Sequence, residues 1–228
     1  MTKPNLIYTF DESILSSEST IAFYDRSIEL SRKLGYTTEL YTNSNKINSK
    51  VDKYHYFNES YILSDYTKHI PLKREDNIVL IDGDVLLHAP IEFSDADLYI
   101  DTYESWSSIY EEPAYTLTSL GIIRVIPEWI NIKQRVMNTG ILKFNNHSFQ
   151  KLYLDRWTKA YNFVANNKAI DNTFIYTPLL AQYLLTILAN HYNITTHSFS
   201  KYPREYNKYY QHFCGSEKKK SSLTPSII

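Results

Sequence analysis

Residues 78–84 read Ile-Val-Leu-Ile-Asp-Gly-Asp, and no other stretch of the chain constrains its fold as tightly. Four apolar residues in a row describe a short buried strand. The run then ends on two carboxylates one residue apart. Side chains two apart on a strand share a side, so Asp82 and Asp84 are expected to stand together where the strand emerges. Two carboxylates held side by side repel unless a cation lies between them. A divalent metal with oxygen ligands is the natural partner, and a phosphate-bearing ligand the natural second guest.

The chain around this strand alternates in period. Asn5–Phe10 reads as a first buried strand with Asp11 at its end. Ser16, Ser17 and Ser19 offer N-caps, Ile21, Tyr24 and Ile28 trace one helical face, and Gly35 follows as a C-cap. Thr37–Thr42 returns as a strand, so a parallel β-α-β unit is expected. A helix is expected over about 60–72, stopping near Pro71, and strands over Asn77–Ile81 and Ala96–Asp101. Residues 103–135 show no clear period and are expected to be irregular. Met137–Asn145 reads as a strand. Phe149, Leu152, Tyr153, Trp157, Ala160 and Phe163 follow at helical spacing. A buried helix is expected over about 178–190 with Pro178 in its first turn, then a strand over Asn193–Phe199 and a polar tail. Strands alternating with helices predict an α/β fold. No repeat or linker divides the chain.

Composition narrows the function. The 228 residues suit one domain, and 24 basic against 25 acidic residues call for neither nucleic acid nor a membrane surface. The single cysteine, Cys214, excludes an internal disulfide and a thiolate zinc cluster. Residues 172–190 carry no charge, but their polar residues and Pro178 fit a buried helix better than a membrane span. Met-Thr-Lys-Pro-Asn lacks the apolar core of a signal peptide, so a cytoplasmic location is expected, compatible with peripheral membrane association. With only 5 glycines, the chain contains neither G-x-G-x-x-G nor a P-loop.

Two further elements carry chemistry. Asn138-Thr139-Gly140 opens a strand, where Asn138 offers an amide to hydroxyls. His212-Phe213-Cys214-Gly215-Ser216-Glu217-Lys218 pairs an imidazole suited to a transition metal with an ammonium suited to phosphate. Gly83, Gly140 and Gly215, three of the five glycines, fall within the three elements, which suggests special backbone or close approach at each.

Together, an apolar strand ending in D-x-D, a later N-x-G strand and H-x-x-G-x-x-K resemble the GT-A glycosyltransferases, most of all the retaining family 8 group that includes glycogenin and bacterial lipopolysaccharide galactosyltransferases. The resemblance implies a GT-A fold, a central mostly parallel mixed sheet flanked by helices. It implies a nucleotide-binding half over about 1–101, an acceptor half over about 102–206 and a closing segment over about 207–228. It implies an enzyme that moves a sugar from a nucleotide-diphosphate donor, a UDP-sugar, to a carbohydrate hydroxyl with retention. Asp82, Asp84 and His212 would ligate Mn²⁺, with Mg²⁺ the alternative. Lys218 and Gly215 would border the diphosphate, with Gly83 beside it. Tyr8, Thr9 and Asp11 would line the nucleoside pocket, and Asn138 and Gly140 the sugar. Asp84, Gln182 and Asp171 are the candidates facing the reaction. The mixed carboxylate–imidazole set favours Mn²⁺ on ligand preference as well. The chain departs from the family where Lys219 and Lys220 stand in place of Pro-Trp.

Two rivals follow from the same residues. A HAD-type phosphatase uses an aspartate pair after an apolar strand but wants Thr or Val where Leu86 stands. A non-catalytic nucleotide-sugar-binding protein would keep the site without turnover. The Tyr- and Trp-rich stretch 103–135 is the expected acceptor wall.

Overall fold

The computed structural model describes residues 3–12, 15, 17–57, 66–74, 76–105, 107–130, 135–167, 170, 173–201 and 207–213. In chain order the elements are β1 (Asn5–Phe10), α1 (Glu18–Lys33), β2 (Thr38–Thr42), β3 (Lys53–Tyr56), α2 (Tyr66–His69), β4 (Ile78–Ile81), β5 (Val85–Leu87), β6 (Leu98–Glu104), α3 (Ser108–Ser119), β7 (Val136–Phe144), α4 (His147–Ala165), α5 (Thr173–His191), β8 (Thr196–Ser198) and β9 (Tyr210–His212). Seven strands form a mixed sheet in the order β3-β2-β1-β4-β7-β6-β8, and β5 pairs with β9 in a separate ladder. The β7 strand runs antiparallel to both neighbours, and the remaining sheet pairs are parallel. The α/β fold with a mostly parallel mixed sheet flanked by helices is the architecture expected.

The strands β1, β2, β4 and β7 each serve two cores because successive side chains alternate faces. Leu6, Tyr8, Phe10, Leu40, Val79 and Ile81 pack with Tyr24 and Ile28 of α1. Ile7, Tyr41, Ile78, Leu80, Ile100 and Leu142 pack with α3, α4 and α5. The four apolar residues of β4 therefore divide two and two, and each stabilises its core by about 1.5–3 kcal/mol relative to exposure. Ser17 caps α1 by accepting from the Thr20 amide at 3.2 Å, and Gly35 takes φ +77° just beyond its end. Asn146 caps α4 by accepting from the Phe149 amide at 3.0 Å.

Several sequence expectations shift. The described residues of 103–135 are not irregular throughout: they include α3, followed by a 3-10 turn, Ile122–Arg124. Tyr110, Ala114 and Leu117 supply its buried face, a helical period interrupted to the eye by Pro113. Trp129 is no acceptor wall, since it is 2% exposed and its indole donates to Thr118 Oγ1 at 2.9 Å; Trp106 lies outside the described residues. The α5 helix begins at Thr173, so Pro178 sits in its interior and not in its first turn. Residues 60–65 of the helix expected over 60–72 lie outside the described residues, and the described remainder is the single turn α2 and a 3-10 turn, Pro71–Lys73. The strands β3, β5 and β9 were not anticipated. Among the described residues, no helix is long and apolar enough to cross a membrane.

Candidate metal centre at the carboxyl edge of the sheet

The strand β4 delivers the aspartates to the carboxyl edge, where ligands of open α/β sheets bind. The strand stops at Ile81, however, and Asp82–Val85 is a turn closed by the Val85 amide donating to the Asp82 carbonyl at 3.0 Å. The two carboxylates converge through this turn and not through strand alternation. The turn leads directly into β5, whose antiparallel partner β9 sets His212 opposite Val85. The Phe213 amide donates to the Asp84 carbonyl at 3.0 Å and locks that register. A residue 128 positions away is thereby placed against the motif.

Ligand atoms of Asp82, Asp84 and His212 all lie within 4.8 Å of one another, and His212 Nε2 stands 3.4 Å from Asp84 Oδ1. The imidazole is held from behind, with Nδ1 2.5 Å from Asp101 Oδ2. That contact places a proton on Nδ1 and turns Nε2 toward the aspartates, the arrangement of a carboxylate-oriented metal ligand. Tyr210 in turn donates its hydroxyl to Asp101 Oδ1, and burial together with the Asp101 charge pushes that phenol's pKa well up, so it stays protonated. Burial also pushes the Asp82 carboxyl up from its ordinary value; Lys68, with Nζ 2.7 Å from Asp82 Oδ1, pulls it down, and Asp84 pushes it up again. Two carboxylates and one oriented imidazole in a half-buried turn are a donor set that fits a divalent cation.

Two motif glycines are explained by packing. A Cβ on Gly140 would come 2.5 Å from His212 Cε1 and 3.1 Å from Asp101 Oδ2. One on Gly83 would lie 2.2 Å from the Tyr24 ring, whose hydroxyl donates to the Thr9 carbonyl at 2.7 Å. Neither has positive φ, so close approach is their reason for being glycine.

The first strand reaches the same edge. Asp11, 1% exposed, accepts from Asn43 Nδ2 at 2.8 Å, which ties the ends of β1 and β2 together. Thr9 is buried. Tyr8 does not line a pocket in this structure: its ring is wholly buried under α1, its hydroxyl meets Ser27 and Ser31, and burial pushes its pKa up to about 12. Asn138 sits on β7, two residues before Gly140, and its Oδ1 accepts from the Gly140 amide at 2.8 Å. Gln182 lies on α5, 2.8 Å from Tyr110 Oη. Asp171, Cys214, Gly215 and Lys218 lie outside the described residues. Residues 207–213 of the expected closing segment belong to the folded body through β9.

Sequence reading missed Lys68, Asn43, Asp101 and Glu104. Asp101 and Glu104 share β6 with no motif around them, and the pairing of β6 with β7 and the packing of β9 and α3 give them their neighbours.

No protein-family model matches the chain, and no curated protein matches it. Among solved structures, the apo form of mouse xyloside xylosyltransferase 1 is similar at TM-score 0.44 and 11% identity, covering 87% of this chain and 85% of that one. The galactosyltransferase LgtC, in complex with donor and acceptor sugar analogues, is similar at TM-score 0.37 and 11% identity, covering 79% of this chain and 70% of that one.

Proposed function

We propose that this protein is a GT-A-type glycosyltransferase of the family 8 kind, moving a sugar from a nucleotide-diphosphate donor, a UDP-sugar, to a carbohydrate hydroxyl with retention. The observation that carries the reading is the convergence of Asp82, Asp84 and His212, whose ligand atoms lie within 4.8 Å at the carboxyl end of a central strand. The spacing of N-x-G and H-x-x-G-x-x-K around it supports the same reading.

In this reading Asp82, Asp84 and His212 hold Mn²⁺, with Asp101 fixing the imidazole. When bound, the cation supplies a Lewis acid to the charge that grows on the leaving nucleoside diphosphate. Lys68, beside Asp82, adds a fixed positive group on the same side, and Lys218 does so from the C-terminal segment. The paired ends of β1 and β2, Asp11 and Asn43, form the floor for the nucleoside. Asn138 and Gln182 serve the sugar, and Asp171 is a further candidate there. A lone phosphatase aspartate pair would have no use for an imidazole aimed by a second carboxylate.

A thermal-shift titration of UDP and UDP-sugars with and without Mn²⁺ tests the proposal. The wild type is expected to be stabilised only when metal and nucleotide are both present, and Asp84→Asn to lose that response. Equal stabilisation in a chelator, or in Asp84→Asn, would falsify the metal-bridged site.

A further inference from the structure

A second polar cluster lies along the same edge. Asn138 Nδ2 donates to Glu104 Oε1 at 2.5 Å, and Asn138 Oδ1 accepts from the Gly140 amide at 2.8 Å. Tyr110 donates its hydroxyl to Glu104 Oε2, and its oxygen also lies 2.8 Å from Gln182 Oε1. One carboxylate on β6 thus joins β7, α3 and α5. Asn138 is only 6% exposed. An amide has two N–H groups and two carbonyl lone pairs, so the two bonds Asn138 makes leave one of each without a partner among the described residues.

The proton count fixes more. Tyr110 has one hydroxyl proton and, among the described residues, faces two acceptor positions. The charged carboxylate is the stronger acceptor, so the proton goes to Glu104. The structure sets Gln182 Oε1 against the Tyr110 oxygen, and with the single proton on Glu104 the reversed amide, NH₂ toward Tyr110, is the assignment that satisfies the network. Without the Glu104 charge, Tyr110 is released to donate to Gln182 and the amide turns over.

We propose that Glu104 is a positioning residue: it holds the Asn138 amide directly, and the Gln182 amide through Tyr110, as a pre-set pair for hydroxyls of a neutral sugar beside the Asp82–Asp84–His212 cluster. This rests on the glycosyltransferase reading above. A buried amide with spare valences favours a ligand that supplies both a donor and an acceptor, as one sugar hydroxyl does, and leaving it unmatched carries a penalty. Holding both amides in advance spares the sugar that ordering cost.

The test compares affinity for UDP with affinity for UDP-glucose, UDP-galactose, UDP-xylose and UDP-N-acetylglucosamine, all with Mn²⁺, alongside donor hydrolysis kinetics. The variants are Glu104→Gln and Tyr110→Phe. In both, UDP affinity is expected to stay within about twofold of wild type, because neither residue touches the cation cluster. The extra affinity conferred by the preferred sugar is expected to fall about tenfold, the scale of one mismatched buried hydrogen bond, and KM for that donor to rise accordingly. Discrimination among the four donors narrows. Equal effects on UDP and UDP-sugars, or none on either in both variants, overturn the positioning role while leaving the enzyme reading intact. A wild type that binds no UDP with Mn²⁺ overturns both.

Discussion

At the scale of single residues, the site is governed by who can approach whom. Gly140 is the clearest case, because the His212 ring lies where any β-carbon would stand. The ring cannot retreat easily, since it is buried and held by Asp101. Gly140→Ala is therefore expected to cost about 1–3 kcal/mol by overpacking and to abolish the Mn²⁺-dependent thermal shift. Gly121→Ala is the control. It strains a backbone at φ +85°, far in the chain from the cluster, and is expected to lower stability while keeping the metal response. Loss of the metal response in both variants would show that it tracks stability alone. The same scale explains what was legible in sequence. Asp82, Asp84 and His212 were legible together because D-x-D, N-x-G and H-x-x-G-x-x-K in this order resemble a known family pattern. Asp101 and Glu104 were not, because a carboxylate late in a strand means nothing until the strand's neighbours are known. The reason for Gly140 was equally hidden, as it depends on a ring 72 residues away.

At the scale of elements, the chain's helices are bound to one another by more than apolar contact. Arg156 of α4 forks onto Glu128 with Nε at 3.0 and 2.9 Å and Nη2 at 2.7 Å, and Tyr192, just past α5, donates to Glu128 Oε1 at 2.7 Å. Burial by itself would raise the Glu128 pKa. The Arg156 and Tyr192 bonds outweigh it and hold the carboxyl down at about 2. A carboxyl lowered on folding stabilises the protein fully above its unfolded value, near 4.5, and loses that contribution as pH falls through about 2. Urea unfolding of wild type and Glu128→Gln across pH 2 to 7 checks it: the wild-type stability should fall more steeply with acid, and the two slopes should match if Glu128 is not the titrating group. Elements with a clean period, such as α1, α4 and β4, were readable in advance. The α3 helix was not, because Pro113 and its tyrosines disguised a buried face at Tyr110, Ala114 and Leu117. The α5 helix was read short because a proline suggests a beginning, whereas here the apolar packing of its C-terminal half carries the helix through it.

At the scale of the molecule, the α/β class followed from alternating periods, but the sheet order did not, since β7 joins from late in the chain and reverses direction between β4 and β6. The β5–β9 ladder was equally invisible, being three residues on each side. Yet it joins residues 85 and 212, so a cation held by Asp82, Asp84 and His212 spans most of the chain. Such a cation binds only the folded protein, and at 100 times its dissociation constant it should add about 2.7 kcal/mol to global stability. Equilibrium unfolding in UDP with Mn²⁺ and in UDP with chelator measures this, and an unchanged midpoint would place the cation elsewhere. The ladder has a further consequence, in time and not in space. A ribosome releases the two aspartates long before it releases the histidine, so a growing chain carries half of the candidate cation site until the segment between Asp84 and His212 has been made. The candidate centre can be completed only when residue 212 clears the exit and zips onto β5, so its assembly waits on the strand that comes later in the chain.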